Sequence, residues 1–153
     1  KENIFDPLGM VDTGFAISAE QVGRLATIYE VIDGGDLQPC EVFCGLATKA
    51  AVGDLPNFLS GGGGLYSTMS DFMKFSLMLG GKGAFEGVRL LGPRTVALMT
   101  KNHLPGGLDL ASLGVSMPDF HHTRGVGFGL GVAVVLGQDF GWHCSPGTYF
   151  WQG

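Results

Sequence analysis

The longest regular pattern of apolar and small residues runs from Val126 to Leu136. Its even positions are Val126, Phe128, Leu130, Val132, Val134 and Leu136, and its odd positions are Gly127, Gly129, Gly131, Ala133 and Val135. A period of two places every bulky side chain on one face and predicts a single strand over 126–136. The other face is nearly bare, which lets a neighbouring layer or ligand approach the backbone. Gly137-Gln138 predicts a hairpin turn into an extended run over 139–144, and Ser145-Pro-Gly147 predicts a turn into another over 148–151. The end of the chain is thus expected to be an antiparallel meander.

The middle of the chain has helical spacing. Residues 68–79 are rich in Phe, Met and Leu, and apolar side chains at 69, 72, 73, 75, 77, 78 and 79 cover most of the circumference. That distribution predicts a deeply buried helix whose wetter side carries Ser70, Asp71 and Lys74. Thr68 offers an N-cap with Asp71 three residues on, a capping-box-like pair with Asp in place of Glu or Gln. The turn Gly61–Gly64 leads in, and Gly80-Gly81 ends the helix. Pro93 suits the first position of a second helix, which carries Val96, Leu98 and Met99 and ends by Asn102.

The remaining segments are punctuated by Gly and Pro. Residues 1–17 form a packed loop anchored by Ile4, Phe5, Leu8, Met10 and Phe15, and Ser18–Gln21 begins a helical turn. Residues 24–32 predict a strand that ends in a tight turn at Asp33-Gly-Gly35. Residues 41–46 are extended, 56–60 and 83–87 are connections, and 103–124 form a long loop of the kind that often borders a site. Helices in the middle and strands at the end give the α+β class.

Composition sharpens this picture. Of 153 residues, 45% are hydrophobic and only 15% are charged, against roughly 25% charged in ordinary soluble domains. The 27 glycines are about two and a half times the usual share of ~7% and point to tight turns and close backbone contacts. Net charge is −5, and the few Lys and Arg are scattered, so nothing suggests a nucleic-acid partner. No apolar run reaches the ~18 residues of a spanning helix. The N-terminal residues Lys1 to Leu8 read as mid-domain sequence, and Tyr149 to Gly153 stop inside an aromatic run, so the chain is expected to be a piece of a longer protein. No compartment is indicated.

Candidate chemistry is sparse. Cys40, Cys44 and Cys144 are an odd set with no disulfide spacing, and Cys40-x3-Cys44 has no second pair to complete a metal site. His121-His122 would point apart on a strand, so no metal and no cofactor is expected. Gly61–Gly64 before a helix could cradle a phosphate, but it lacks the Lys of such loops, and structural packing is the simpler reading. Ser67 could be a nucleophile at a turn, but the surrounding residues are not Gly-x-Ser-x-Gly, and a capping role fits better. Asp71 reads as a carboxylate at the positive end of the helix. Tyr66 reads as a core residue with its hydroxyl paired.

Five segments in order carry a resemblance. They are Pro7-Leu-Gly-Met10 with Asp12-Thr13, Arg24-Leu-Ala with Tyr29, Gly62-Gly-Gly-Leu65 with Ser67-Thr68 and Asp71, Gly127-Phe-Gly-Leu-Gly131, and Gly147-Thr-Tyr-Phe-Trp151. Together they resemble the C-terminal half of the serine β-lactamase-like family, nearest its class C β-lactamase and esterase-like branch. The resemblance implies a β-lactamase/transpeptidase-like fold, with an antiparallel sheet and flanking helices, of which residues 1–153 are the C-terminal portion of a single domain. It implies acyl transfer, in which a serine attacks an ester or lactam carbonyl and backbone N–H groups hold the oxyanion.

That chemistry uses a Ser-x-x-Lys motif, a Tyr-x-Asn-type motif and a triplet on an inner strand. No serine in this chain has Lys three places later, and no tyrosine has Asn two places later. In the family both motifs precede Pro-Leu-Gly-Met, so no catalytic residue is assigned here. Only the triplet is present, as Trp151, Gln152 and Gly153, and these are the expected substrate-pocket residues; the alternative is an ordinary inner strand. Gln152 stands where the esterase-like branch tends to have Gly, and the Lys of β-lactamases is missing, which tilts the substrate toward an ester and away from a lactam or peptide. The expected partners are a small-molecule ester or lactam in the full protein, and a complementing N-terminal segment or a second copy of the chain. A noncatalytic binding or assembly module of the same fold is the other reading.

Overall fold

The computed structural model describes residues 1–40, 42–43, 46–47, 52–115, 123–137 and 144–151. The chain divides into two compact units, Lys1–Phe75 and Ser76–Gly153.

In the first unit the N-terminal loop buries Leu8 and Met10 and leaves Ile4 exposed. Each such side chain contributes about 1.5–3 kcal/mol when fully buried; Phe5 and Phe15 are half-buried. A single 3-10 turn, Val22–Arg24, stands at the start of the expected strand over 24–32. The strand itself is shorter, Tyr29–Val31 (β1), and pairs antiparallel with Leu37–Pro39 (β2). The turn between them is the predicted one: Gly34 and Gly35 both have positive φ, 96° and 87°, which glycine alone adopts without cost. Two shorter strands, Val42–Phe43 (β3) and Leu46–Ala47 (β4), form a second small hairpin. Residues 56–60 lie in loop, as expected.

The helix Met69–Gly80 (α1) begins one residue later than predicted. Its cap is half of the expected box. The Asp71 N–H donates to Thr68 Oγ1 at 3.2 Å, but the Asp71 carboxylate turns to another segment. The expectation of a helix buried all round is corrected. Asp71 is only 2% exposed and Met78 1%, while Met69 is 79%, Phe72 57%, Met73 51% and Leu77 49% exposed. Residues 71, 74, 75 and 78 lie at i, i+3, i+4 and i+7, one helix face. That face points inward with Asp71 at its head, so Asp71 and Lys74 of the expected wet side turn inward, while Ser70 is exposed as expected.

In the second unit the predicted connection at 83–87 is a hairpin, Ala84–Phe85 (β5) against Val88–Arg89 (β6). The second helix is Pro93–Met99 (α2), with Pro at its first position as predicted and Val96 buried. The single strand expected over 126–136 is corrected to two, Val126–Phe128 (β7) and Ala133–Val135 (β8), joined by a turn that contains Gly131 at φ 82°. With Tyr149–Phe150 (β9) they form an antiparallel sheet in the order β7-β8-β9. The meander is therefore present. The run over 139–143 lies outside the described residues.

The register explains why the alternation misled. Val126 pairs with Val135, and Phe128 with Ala133. Directly opposed residues share a face, so the core face takes even positions in β7 and odd ones in β8. Val126, Ala133 and Val135 cluster with Leu110, and Leu104, Phe128, Cys144 and Phe150 pack against them. Val134 is buried as well, so β8 is covered on both faces.

Candidate functional site

Two arrangements carry chemistry-bearing groups. One lies in the first unit around Asp71. Asp71 Oδ2 accepts from the Asp12 backbone N–H at 2.8 Å and from Thr13 Oγ1 at 3.0 Å. Asp71 Oδ1 accepts from Lys74 Nζ at 3.2 Å, and Lys74 Nζ also donates to the Gly9 carbonyl. The Thr13 hydroxyl lies 2.8 Å from Ser67 Oγ. Thr13 gives its only proton to the carboxylate, so Ser67 is the donor in that pair. Tyr66 and Gly14 exchange two backbone hydrogen bonds, at 2.8 and 3.0 Å, and these seat Ser67 beside Thr13.

This chain of hydroxyls does not activate Ser67. Its proton points to another hydroxyl, and the one amine in the cluster, Lys74, is engaged with Asp71 and Gly9. The cluster ties the loop at residues 9–13 to α1. Around its outer side Arg24 grips Asp12 with both nitrogens, at 2.6 and 3.0 Å, and Gln21 adds a bond at 2.9 Å. The hydrogen bonds from Arg24, then those from Gln21, hold the Asp12 carboxyl below the usual carboxylate range. A cleft of about 580 Å³ runs along residues 11–18, walled mainly by Phe5, Val11, Phe15, Ile17, Leu55 and Leu59.

The other arrangement lies in the second unit, at the end of β9. Tyr149 and Phe150 pair with Val134 and Ala133 of β8, and the Val135 N–H bonds the Thr148 carbonyl at 2.8 Å. This pairing carries the chain to Trp151, whose side is 50% exposed. The Trp151 and Phe128 rings meet nearly at a right angle, 86°, with centroids 5.1 Å apart. Such an edge-to-face pair contributes about 0.5–1.5 kcal/mol beyond its buried area. Gln152 and Gly153 lie outside the described residues, as do Cys44 and the pair His121-His122. Cys40 is buried and Cys144 half-buried, both as thiols. Among the described residues no group of His, Cys, Asp or Glu could hold a metal ion, and no helix is long and apolar enough to cross a membrane.

The loop that leads toward β7 is braced by Asp109. Its carboxylate accepts from the backbone N–H groups of Ser112 and Gly125, each at 2.8 Å. Hydrogen bonding from the Ser112 side chain, then from the Gly125 and Ser112 backbones, lowers its pKa from 3.8 to about 2. A depressed folded-state pKa adds stability that is present above the unfolded value of 3.8 and is lost as pH falls toward about 2. Asp109→Asn is therefore expected to melt below the parent chain at pH 6, with the gap closing as pH drops from 4 to 2. Thermal unfolding across that range checks it, and a gap that widens in acid would contradict it.

The fold and the ordered segments define a β-lactamase/transpeptidase-like protein. The family model described as beta-lactamase matches residues 1–153, and the chain belongs to that family. Two Mycobacterium tuberculosis sequences, Protein Rv1367c of strain H37Rv and the uncharacterised protein MT1414 of strain CDC 1551, are each 36% identical to it over 134 residues. Those matches cover 88% of this chain and 31% of theirs, so it spans about a third of the length of the curated relatives it matches. Among solved structures, the hydrolase EstCE1, which has promiscuous acyltransferase activity, is 26% identical with a TM-score of 0.67, covering 95% of this chain and 37% of its own. Simvastatin synthase (LovD) from Aspergillus terreus is 25% identical with a TM-score of 0.61, covering 88% and 32%. The octameric penicillin-binding protein homologue from Pyrococcus abyssi shares the fold at 19% identity and a TM-score of 0.56, covering 88% and 24%.

Proposed function

We propose that residues 1–153 are the C-terminal portion of a β-lactamase-like domain that works as a serine hydrolase, by acyl transfer on an ester. In this reading Trp151, Gln152 and Gly153 form one wall of the substrate pocket. The observation that supports it is the position of Trp151: it follows a strand paired into the meander, as the resemblance expects of the triplet, and the residue is half exposed. The likeness to a hydrolase with acyltransferase activity supports the same reaction class. The triplet has Gln152 and no Lys, which favours an ester over a β-lactam or peptide. Ser-x-x-Lys and Tyr-x-Asn are not in this sequence. Catalysis then requires a segment that supplies them, in the same chain or from another.

The exposed Met69, Phe72, Met73 and Leu77 favour a second reading, a noncatalytic module that uses this apolar face to assemble with a complementing segment or a second copy. One experiment separates the two. The chain is incubated with p-nitrophenyl acetate and a serine-reactive phosphonate, alone and with the N-terminal segment of a relative that carries Ser-x-x-Lys. The hydrolase reading expects no labelling of the chain alone, and ester turnover with label on the added segment when the two are mixed. Association without turnover or label supports the assembly module. Label on a serine of this chain overturns the assignment of the nucleophile elsewhere.

A further inference from the structure

Every residue of β1 and β2 is exposed. Their register pairs Tyr29 with Pro39, Glu30 with Gln38 and Val31 with Leu37. The Ile32 N–H donates to the Asp36 carbonyl at 2.9 Å, and the Cys40 N–H to the Ile28 carbonyl at 2.8 Å. Bonded and non-bonded pairs alternate along an antiparallel ladder. The backbone groups of residues 28, 30 and 32 therefore point at β2, and those of Tyr29 and Val31 point away from it. Among the described residues no backbone group bonds them in turn.

The two outer edges of this hairpin differ. On β2 the outward residues are Leu37 and Pro39, and Pro39 has no N–H, which closes that edge to further pairing. On β1, Tyr29 and Val31 each present an N–H and a carbonyl, and no proline or lysine blunts the strand. Directly opposed residues share a face, so Tyr29, Val31, Leu37 and Pro39 make one apolar face. Tyr29 is 56%, Val31 71% and Leu37 66% exposed. Glu30 and Gln38 lie on the other face, where Gln38 Nε2 donates to Glu30 Oε1 at 2.9 Å.

Charge selects what pairs with this edge. Glu30, Asp33 and Asp36 are acidic, and no Lys or Arg occurs between Arg24 and Lys49. Among the described residues none of these three acids forms an ion pair. A strand added antiparallel to β1 bonds Tyr29 and Val31 and sets its middle residue opposite Glu30. A second copy of the chain adding about that centre would set Glu30 against Glu30, and like charges directly opposite destabilise a ladder. A Lys or Arg there is attracted instead.

We infer that the outer edge of β1 receives an extended segment of a partner protein with an apolar–basic–apolar pattern. The segment adds as a third, antiparallel strand. Its two apolar residues exchange backbone bonds with Tyr29 and Val31 and extend the apolar face, and its central Lys or Arg meets the Glu30 carboxylate. Backbone bonds supply the affinity of such strand addition, and the alternating side chains supply its specificity. The site uses residues of the first unit alone. It holds whether the chain is a hydrolase portion or an assembly module.

The test titrates the whole isotope-labelled chain with a capped peptide, Thr-Val-Lys-Val-Thr, and follows backbone amide resonances and their hydrogen exchange. Saturable shifts are expected at residues 28–32, with slowed exchange at the Tyr29 and Val31 N–H groups. Glu in place of the central Lys should weaken binding about three- to tenfold, the scale of a like against an opposite charge pair across a ladder. Glu30→Lys should reverse that order. The variant chain is still net negative, so general attraction would go on favouring the Lys peptide. Methylating both Val nitrogens should abolish binding, because those N–H groups donate to the Tyr29 and Val31 carbonyls. Methylating the Lys nitrogen, which faces away from β1, should cost far less. Equal affinity for the Lys and Glu peptides overturns the charge selection, and binding that survives methylation of both Val nitrogens overturns strand addition. If Glu30→Lys does not fold, the methylated peptides decide. No shift at residues 28–32 with millimolar peptide overturns the site. Protection of Tyr29 and Val31 that grows with chain concentration alone makes the occupant a second copy and overturns the partner. Displacement of the peptide by the N-terminal segment of a relative overturns it as well.

Discussion

Replacing Asp71 by alanine is expected to destabilise the chain by about 3 kcal/mol, the scale of a buried polar group that loses its partners. Asp71 is 2% exposed, and its carboxylate receives the Asp12 N–H, the Thr13 hydroxyl and the Lys74 ammonium. Without it the Thr13 hydroxyl, itself buried at 7%, keeps only Ser67. The Asp12 N–H loses its acceptor. Lys74 suffers least, since its side chain is about one-third exposed and still bonds Gly9. Asp71→Asn keeps the volume and one acceptor but turns an amide toward a donor, so a loss of about 1–2 kcal/mol is expected. Urea unfolding reads the effect as a lower midpoint with an unchanged slope. An alanine variant within 0.5 kcal/mol of the parent, a margin typical of surface changes, would show that the carboxylate does not hold the loop.

The second large effect is expected at Gly129. A Cβ there would sit 2.2 Å from the Met99 carbonyl oxygen and 3.3 Å from that of Lys101. Both are backbone atoms, and Met99 O already accepts from the Leu130 N–H at 2.8 Å. Neither can retreat without breaking the end of α2 away from the β7–β8 turn. Gly129→Ala should therefore cost about 3 kcal/mol, the upper range for overpacking, and lower the melting temperature by roughly 6–12 °C for a chain of this size. Gly127→Ala meets the Asn102 side chain instead, which can give way, though only by loosening its bonds to Leu104, Phe128 and Leu108. It should be the milder of the two in stability. Differential scanning calorimetry of the pair decides the order, and the reverse ranking would count against the close backbone approach.

These two sites show what was legible in the sequence and what was not. The signals at Thr68, Gly34-Gly35 and Pro93 act within a few residues, and each landed where the spacing put it. The alternation over 126–136 is also local, but a turn at 129–132 inverts its sense, because Val126 opposes Val135 and not Leu136. Only the pairing partner reveals that. Asp71 reads in sequence as a solvated capping residue, since its acid side chain opens a helix. Its burial depends on Asp12 and Thr13, which no helical period connects to it. The proposed triplet position of Trp151 comes from the order of segments. Its contact with Phe128, and the bond from Phe128 to Asn102, depend on strand pairing and loop packing that the spacing does not encode.

The tie at Asp71 also bears on the order in which the chain folds. Its bonds to Asp12 and Thr13 span 59 and 58 residues. Closing a loop of that length costs about 3.6 kcal/mol in chain entropy before any constant term, from (3/2)RT ln n. The hairpin β1–β2 closes across fewer than a dozen residues, and β5–β6 across fewer still. Local turns and hairpins therefore form on the microsecond scale, and the carboxylate joins its loop only after the intervening chain has condensed. Asp71 thus acts late, as a latch on structure already made, and its loss should be felt mainly as faster unfolding rather than slower folding.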